Sequence, residues 1–590
     1  MLLQRLVDYA HQHTTSAPFH RQREFIWRLN LPSDGGPARL FSVLQADGRG
    51  KLRGEFQVAP SVTRTVGVAP NLGADDVQYV LGWGDETTKP DRVRQCHEQF
   101  VELVSRWASS VDGMDPAAAV VSDFYANGGV ESLPAPEEAY TAKQGVLITV
   151  DDIPVIHHDS LVRFWVEEVI RRKGGSEHEL CLVCGRYGAL ADTIPGKVAK
   201  RLVPGAGNDP ALVSVNELVF GYGLTKGLRH TPICFTCGNA VNTGLTQLLS
   251  SEHVMTFAQQ DSAMAWWTLG EPDEDFLSVL STRPETDAVN RLLERLRSGR
   301  LEEAAQQAEE FSADRFCSVS LGGNASRIMI RDWIDKPLAT VVFNLARWYE
   351  DMLMVSRQQS GELPSGFWNL VLAIGKWDTE RNLYADLSST AAQRPAHIQR
   401  DLLTSSLRGS PLPPSVLHHV LRRITSDGHL DLARAALLRL ALRRHPTKEF
   451  SMPAGLDETC QDTAYVSGRI FAHLEQIQYA ASDGRPNTTF GDRFLAGAIS
   501  NPTPALNAGK KLASSWLAKL RRRQATAGKA VALDRKLSEL HALLDRNRPA
   551  TGYLPAEQQA LFLLGYHHQK AHDAEQVRQY KSTTGDSASE

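Results

Sequence analysis

The chain has 590 residues, of which 42% are hydrophobic and 22% charged. That length calls for roughly two to four packed units, and the near-average composition excludes wholesale disorder and a fibrous repeat. Lys+Arg total 64 against 68 Asp+Glu, so the net charge of -4 excludes a uniformly basic nucleic-acid coat and any such role must rest on local charge.

The start, MLLQRLVDYAHQH, places Leu2, Leu3, Leu6, Val7 and Ala10 three and four apart and predicts an amphipathic helix. It lacks the apolar core and cleavage site of a signal peptide, and no window reaches the roughly 18 apolar residues of a spanning helix. A cytoplasmic protein with no membrane contact is expected. RLFSVLQADGRGKLRGEFQV reads as two strands around a Gly-rich turn, and VQYVLGW and GVLITVDD as further strands. Asp151-Asp152 before Ile153-Pro154 suits a turn better than an acid/base pair. SLVRFWVEEVIRRK has helical spacing, ended by Gly174 and Gly175.

CLVCG at Cys181 and Cys184 and CFTCG at Cys234 and Cys237 are the strongest chemical signal. Two close cysteine pairs on tight turns can bring four thiolates to the corners of a tetrahedron, the geometry of a closed structural Zn²⁺ site. Gly185 and Gly238 allow backbone N–H groups to turn towards the sulfurs. A zinc-organised insert over about 176–245 follows. Buried free thiols or a redox pair are the alternative.

Around Phe316, CSVSL and RIMIRDW alternate about Gly322-Gly323-Asn324 and predict a hairpin. Helices then dominate: LATVVFNLARWYEDMLM and HLDLARAALLRLALRRH carry apolar stripes read as bundle core. The breaker-rich HPTKEFSMPAG predicts a boundary near Ser451, before a block that is helical from Thr463 to His572. The fold class is α+β: residues 1–250 an α/β region bearing the insert, 251–450 mixed then mainly helical, and 452–590 a helical bundle.

Phosphate-loop, H-E-x-x-H and G-x-S-x-G motifs are missing, and the adjacent pairs His157-His158, His418-His419 and His567-His568 diverge rather than converge on one ion. A non-enzymatic role is expected. GRGKLRG and GYGLTKG are Gly-rich and basic but fit no dinucleotide fingerprint. Between Lys510 and Arg548 eleven Lys/Arg face three Asp/Glu. Lys510, Lys511, Lys519, Arg521, Arg522, Arg523 and Lys529 lie in this run, and a stripe through Lys511, Lys519, Arg522 and Lys529 could follow a phosphate backbone. A solvated helix face is the plainer reading. Arg422, Arg423, Arg434, Arg439, Arg443 and Arg444 read as a second basic cluster.

Several segments together resemble the large subunit of the type I-C CRISPR Cascade complex: MLLQRLVDYA, FSVLQADG, VQYVLGW, LVSVNELVFGYG running into TGLTQLL, SLGGNASRIMIRDW with Gly323 where proline is usual, TAYVSGRIFAHLEQIQYAA, NTTFGDRFLAGAISNP and LPAEQQALFLLGYHHQK. The resemblance implies a non-catalytic subunit that reads the protospacer-adjacent motif in duplex DNA, helps unwind it and stabilises the R-loop. Implied partners are guide RNA, the Cascade backbone subunits, an RNA-processing subunit, small subunits, target duplex and displaced strand, and a helicase-nuclease recruited in trans. DNA-contact candidates are then Lys51, Arg53, Arg64, Asn71, Asn216 and Lys226 at the amino-terminal side, with the Lys510 to Arg523 cations at the other. The resemblance also implies an internal translation start at Met452. A zinc-dependent nuclease or hydrolase using the four cysteines, or a structural adaptor binding guide RNA, stays open.

Overall fold

The structure, a computed structural model, describes the chain apart from residues 14–16, 47–51, 63–66, 112, 135, 137, 138, 216, 229, 271–273, 282, 309–312, 448, 449, 485, 545–551 and 587–590. Lys51, Arg64 and Asn216 lie outside the described residues. The chain divides into two units, one of Met1–Leu202, Ala206–Ser251 and Asn324–Ile328, the other of Val203–Gly205, Glu252–Gly323 and Met329–Glu590.

The first unit is mixed α and β. Its main sheet runs Arg39–Ser42, Trp27–Leu31, Gly145–Val150, Ala74–Asp76; the central pair is parallel, from Trp27↔Val146 to Leu31↔Val150, and the outer pairs are antiparallel. Every residue of Gly145–Val150 is buried, Thr149 included, as its otherwise apolar run demands of a central strand. Asp151 and Asp152 take φ of +49° and +66°, so the expected turn is present and returns Ile153–Pro154 onto the same strand. Helices form at Leu2–His13 and Asp159–Lys173 as predicted. VQYVLGW does not form a strand: Val77–Val80 is a helical turn burying Val77, Tyr79 and Val80. A short apolar run carries no period that separates the two forms, and here Leu81 N–H donates to Val77 O at 2.9 Å and closes a helical turn. Glu55–Pro60 pairs with His20–Phe25, and Leu52–Arg53 pairs with Gln45–Ala46; the Gly-rich residues between the latter two lie outside the described residues.

The second unit is mainly helical. The segment Arg315–Pro337 doubles back as a hairpin, with Asn324–Ile328 of the first unit at its tip: Leu338 N–H donates to Asp314 O at 3.0 Å, the Arg315 guanidinium bonds the Asp335 carboxylate, and the left-handed residue is Ala325, at φ +53°, past the expected Gly322-Gly323-Asn324 turn. Its first limb pairs with Ala263–Thr268. One continuous core joins side chains from Met255 to Tyr566, across both the middle region and the carboxyl-terminal helices. Met452 is buried within it, and its carbonyl accepts from Arg439 Nε at 2.9 Å. Helix Leu432–Arg443 is buried on all sides from Ala433 to Leu442, arginines included, rather than along one stripe.

Burial also fixes an acid response. His419 and His567 each place Nε2 against a backbone carbonyl, of Ile374 at 3.1 Å and Val355 at 2.9 Å, and burial holds both well below the ordinary histidine value, to about 4. The unfolded chain takes up these protons as pH falls through about 6.5, whereas the folded chain does so only near 4. Stability is therefore full above 6.5 and lost on acidification through that window, by about 2 kcal/mol per histidine at pH 5. Urea unfolding midpoints should fall between pH 7 and 5, and His419→Gln should flatten that dependence; an equal slope in both proteins would contradict it.

Candidate metal centre and basic face

Strands Gly174–Leu180 and Tyr187–Ala191 pair antiparallel with Leu180 opposite Tyr187, which puts Cys181–Arg186 at the tip of a hairpin. The tip closes as a tight knuckle: Gly185 N–H donates to Cys181 O at 2.8 Å and Cys181 N–H to Arg186 O at 3.0 Å. The second pair opens helix Phe235–Leu249, for which Cys234 is the cap, its sulfur accepting from Cys237 N–H at 3.4 Å. Ala191 N–H bonds Ile233 O at 2.9 Å and Leu182 N–H bonds Pro232 O at 2.9 Å, so the helix start is pinned to the hairpin.

The four sulfurs of Cys181, Cys184, Cys234 and Cys237 all lie within 4.8 Å of one another, with Cys184 and Cys234 at 4.0 Å. A zinc ion about 2.3 Å from each of four sulfurs requires sulfur separations of about 3.8 Å, so the set is compatible with zinc. Val183 and Cys234 N–H donate to the Cys181 sulfur at 3.4 and 3.3 Å. Such donors favour thiolate, as does the positive end of the helix beginning at Phe235. The Cys234 thiol sits far below its usual range, at about 5, first because the Cys237 thiol donates to it; the same contact, with burial, pushes Cys237 up. Gly185 takes φ +69°, the left-handed conformation that closes the knuckle with its own N–H on Cys181 O. Gly238 turns no N–H towards a sulfur. Its N–H goes to Cys234 O, and the position excludes a side chain because a Cβ would lie 2.9 Å from Pro195 Cδ. The Val183 and Cys234 donors carry no residue-type signal, since any backbone N–H can serve, and sequence reading missed them.

Of the amino-terminal DNA candidates, Arg53 is exposed, 3.9 Å from Glu24. Lys226 is exposed on the turn before Gly227, close in sequence to the exposed Phe220 and Tyr222. Asn71 is buried: its Oδ1 accepts from Val62 N–H at 3.2 Å and its Nδ2 faces Asp75, so it organises its own loop instead of reaching outward.

In the second unit the Lys510 to Arg523 cations occupy helix Pro502–Arg521 and the turn after it. Lys510, Lys511, Lys519, Arg521, Arg522 and Arg523 are all exposed. Arg521 pairs with Asp534, and Arg523 with Asp483 at 2.8 Å. Lys510, Lys511, Lys519 and Arg522 form no salt bridge among the described residues, and at 100° per residue Lys511, Lys519 and Arg522 fall within one face. The stripe ends there, because Lys529 belongs to the next helix, Gln524–Ala542.

The upstream arginines are not a second basic surface. Arg423 and Arg434 converge on Asp427, Arg443 and Arg444 on Asp351, and Arg439 donates to the carbonyls of Met452 and Glu350. Arg423, Arg434, Arg439 and Arg444 are buried; only Arg422 is exposed. A run of arginines in sequence records charge and says nothing of the acids that neutralise it.

Among the described residues no helix is long and apolar enough to cross a membrane. No curated protein matches the chain. The family model described as CRISPR-associated protein (Cas_Csd1) matches residues 3–573. A match over nearly the whole length, through the cysteine hairpin and the basic helix alike, makes the chain a member of the Cas_Csd1 family of CRISPR-associated proteins.

Proposed function

We propose that this chain is the non-catalytic large subunit of a type I-C Cascade complex, which reads the protospacer-adjacent motif in duplex DNA, helps open it, holds the R-loop and recruits a helicase-nuclease. The observation that carries this reading is the family match across residues 3–573. The exposed row Lys511, Lys519, Arg522 supports it, since cations that form no salt bridge among the described residues can each displace a counterion from a phosphate. Cys181, Cys184, Cys234 and Cys237 would hold zinc structurally: four protein sulfurs complete its coordination and leave no position for an activated water. The site then supplies rigidity to the hairpin and helix start. Guide RNA and the backbone, RNA-processing and small subunits are the partners this role requires, and Met452 would start a separate small subunit.

The test uses the assembled, guide-loaded complex. Changing Lys511, Lys519 and Arg522 together to glutamate should weaken binding to a matched duplex and lower the slope of log affinity against log salt, by up to about 0.9 for each phosphate no longer neutralised. Arg521 and Arg523 are left intact because Asp534 and Asp483 already offset their charges. An unchanged slope removes this face from the DNA path, and indifference of the whole complex to the flanking motif removes the reading itself.

A further inference from the structure

Three arginines in the first unit converge on one carboxylate. Glu168, on helix Asp159–Lys173, has a side chain only 2% exposed. It accepts from Arg106 Nη1 and Nη2 at 2.8 and 2.7 Å, from Arg171 Nε and Nη2 at 2.9 Å each, and from Arg172 Nε at 2.5 Å. Arg171 and Arg172 follow Glu168 by three and four residues and so share its helix face. Arg106 arrives from helix Pro90–Ser110.

A carboxylate offers about four lone-pair positions and one negative charge, so these five donors saturate it while two of the three guanidinium charges remain uncompensated. The excess borders a cavity of about 290 Å³ lined by Pro70, Gln99, Glu102 and the three arginines. Arg172 is held in place, donating through Nη1 to Pro70 O at 2.7 Å and lying over the Trp165 ring at 5.5 Å. Arg106 Nε is buried and has no partner among the described residues. Glu102, exposed at the rim, offsets one of the two excess charges.

We propose that Arg106, Arg171 and Arg172 form a pocket that binds a phosphate group. Glu168 acts as the brace that keeps three like charges together and aims their remaining N–H groups at the cavity. Guanidinium planes match phosphate oxygens in pairs, and preorganised donors beside a partly desolvated cavity bind an oxyanion more tightly than the same groups in open water. Two sources share this chemistry: a free phosphate or pyrophosphate, and a phosphodiester of a nucleic-acid backbone.

The full-length chain is titrated with pyrophosphate by calorimetry. Saturable binding is expected. Arg171→Ala should weaken it about tenfold without unfolding, since that side chain is 63% exposed. Glu102→Gln should tighten it several-fold, an effect that a purely structural arginine cluster would not give. Absence of saturable binding, or equal affinity in all three proteins, overturns the proposal. A duplex oligonucleotide then separates the sources: a smaller salt slope in Arg171→Ala assigns the pocket to backbone phosphate, and an unchanged slope together with the weakened pyrophosphate binding assigns it to a free anion. These readouts use the isolated chain, so their failure is distinct from a failure of the Lys511, Lys519 and Arg522 test in the complex.

Discussion

Replacing Gly468 by alanine is expected to destabilise the second unit by about 3 kcal/mol, near the upper end for an overpacked core. Helices Thr463–Ala481 and Ala556–Asp586 approach backbone to backbone: a Cβ on Gly468 would run into Phe562 O and lie 2.8 Å from Tyr566 N, and one on Gly565 would run into Tyr465 O and lie 2.9 Å from its carbonyl carbon. Backbone cannot rotate out of the way, so the helices must separate. Separation would pull apart the buried Tyr465–His568 pair at 2.9 Å and the bond from the Tyr566 hydroxyl to Glu475 at 2.8 Å. Gly497 and Gly528 are also helical, but a Cβ at either meets nothing within 4 Å. Gly497→Ala and Gly528→Ala should therefore stabilise, by up to about 1 kcal/mol, through helix propensity alone. Urea midpoints of the four alanine variants (Gly565→Ala included) provide the comparison, and a Gly468→Ala protein as stable as its parent would refute the close approach.

Cys237→Ser is the second large effect. If the four sulfurs hold zinc, the purified parent carries about one ion per chain and the variant carries much less. Structural zinc contributes on the order of 10 kcal/mol to small domains that depend on it. Here the loss should be local, because among the described residues the bridge Leu190↔Cys234 and a few backbone bonds are what otherwise join the hairpin to the helix start. Proteolysis confined to about residues 176–245 should accelerate in the variant and in chelator-treated parent alike. A parent free of zinc yet equally resistant would show that thiol packing suffices.

Features encoded within a few residues were legible in advance. The helix at Leu2–His13 announced itself through apolar spacing, the turn at Asp151-Asp152 through its side chains, and the knuckles through paired cysteines each followed by glycine. VQYVLGW was misread because seven residues are too few to separate a helical from a strand period. Arg443 and Arg444 were misread because Asp351, which neutralises both, lies some ninety residues earlier in the chain, whereas Asp427, the partner of Arg423 and Arg434, stood within the run and was overlooked. The Arg106 cluster escaped notice because Arg106 stands 62 residues from Glu168.

The sequence by itself determined the α+β class, the helical carboxyl-terminal half and the four cysteines, since spacing, breakers and ligand type act through local geometry. Only the tertiary structure decided which cations remain exposed at Lys511, Lys519 and Arg522 and which are spent inside the protein, because charge pairing and burial depend on residues far apart in the chain.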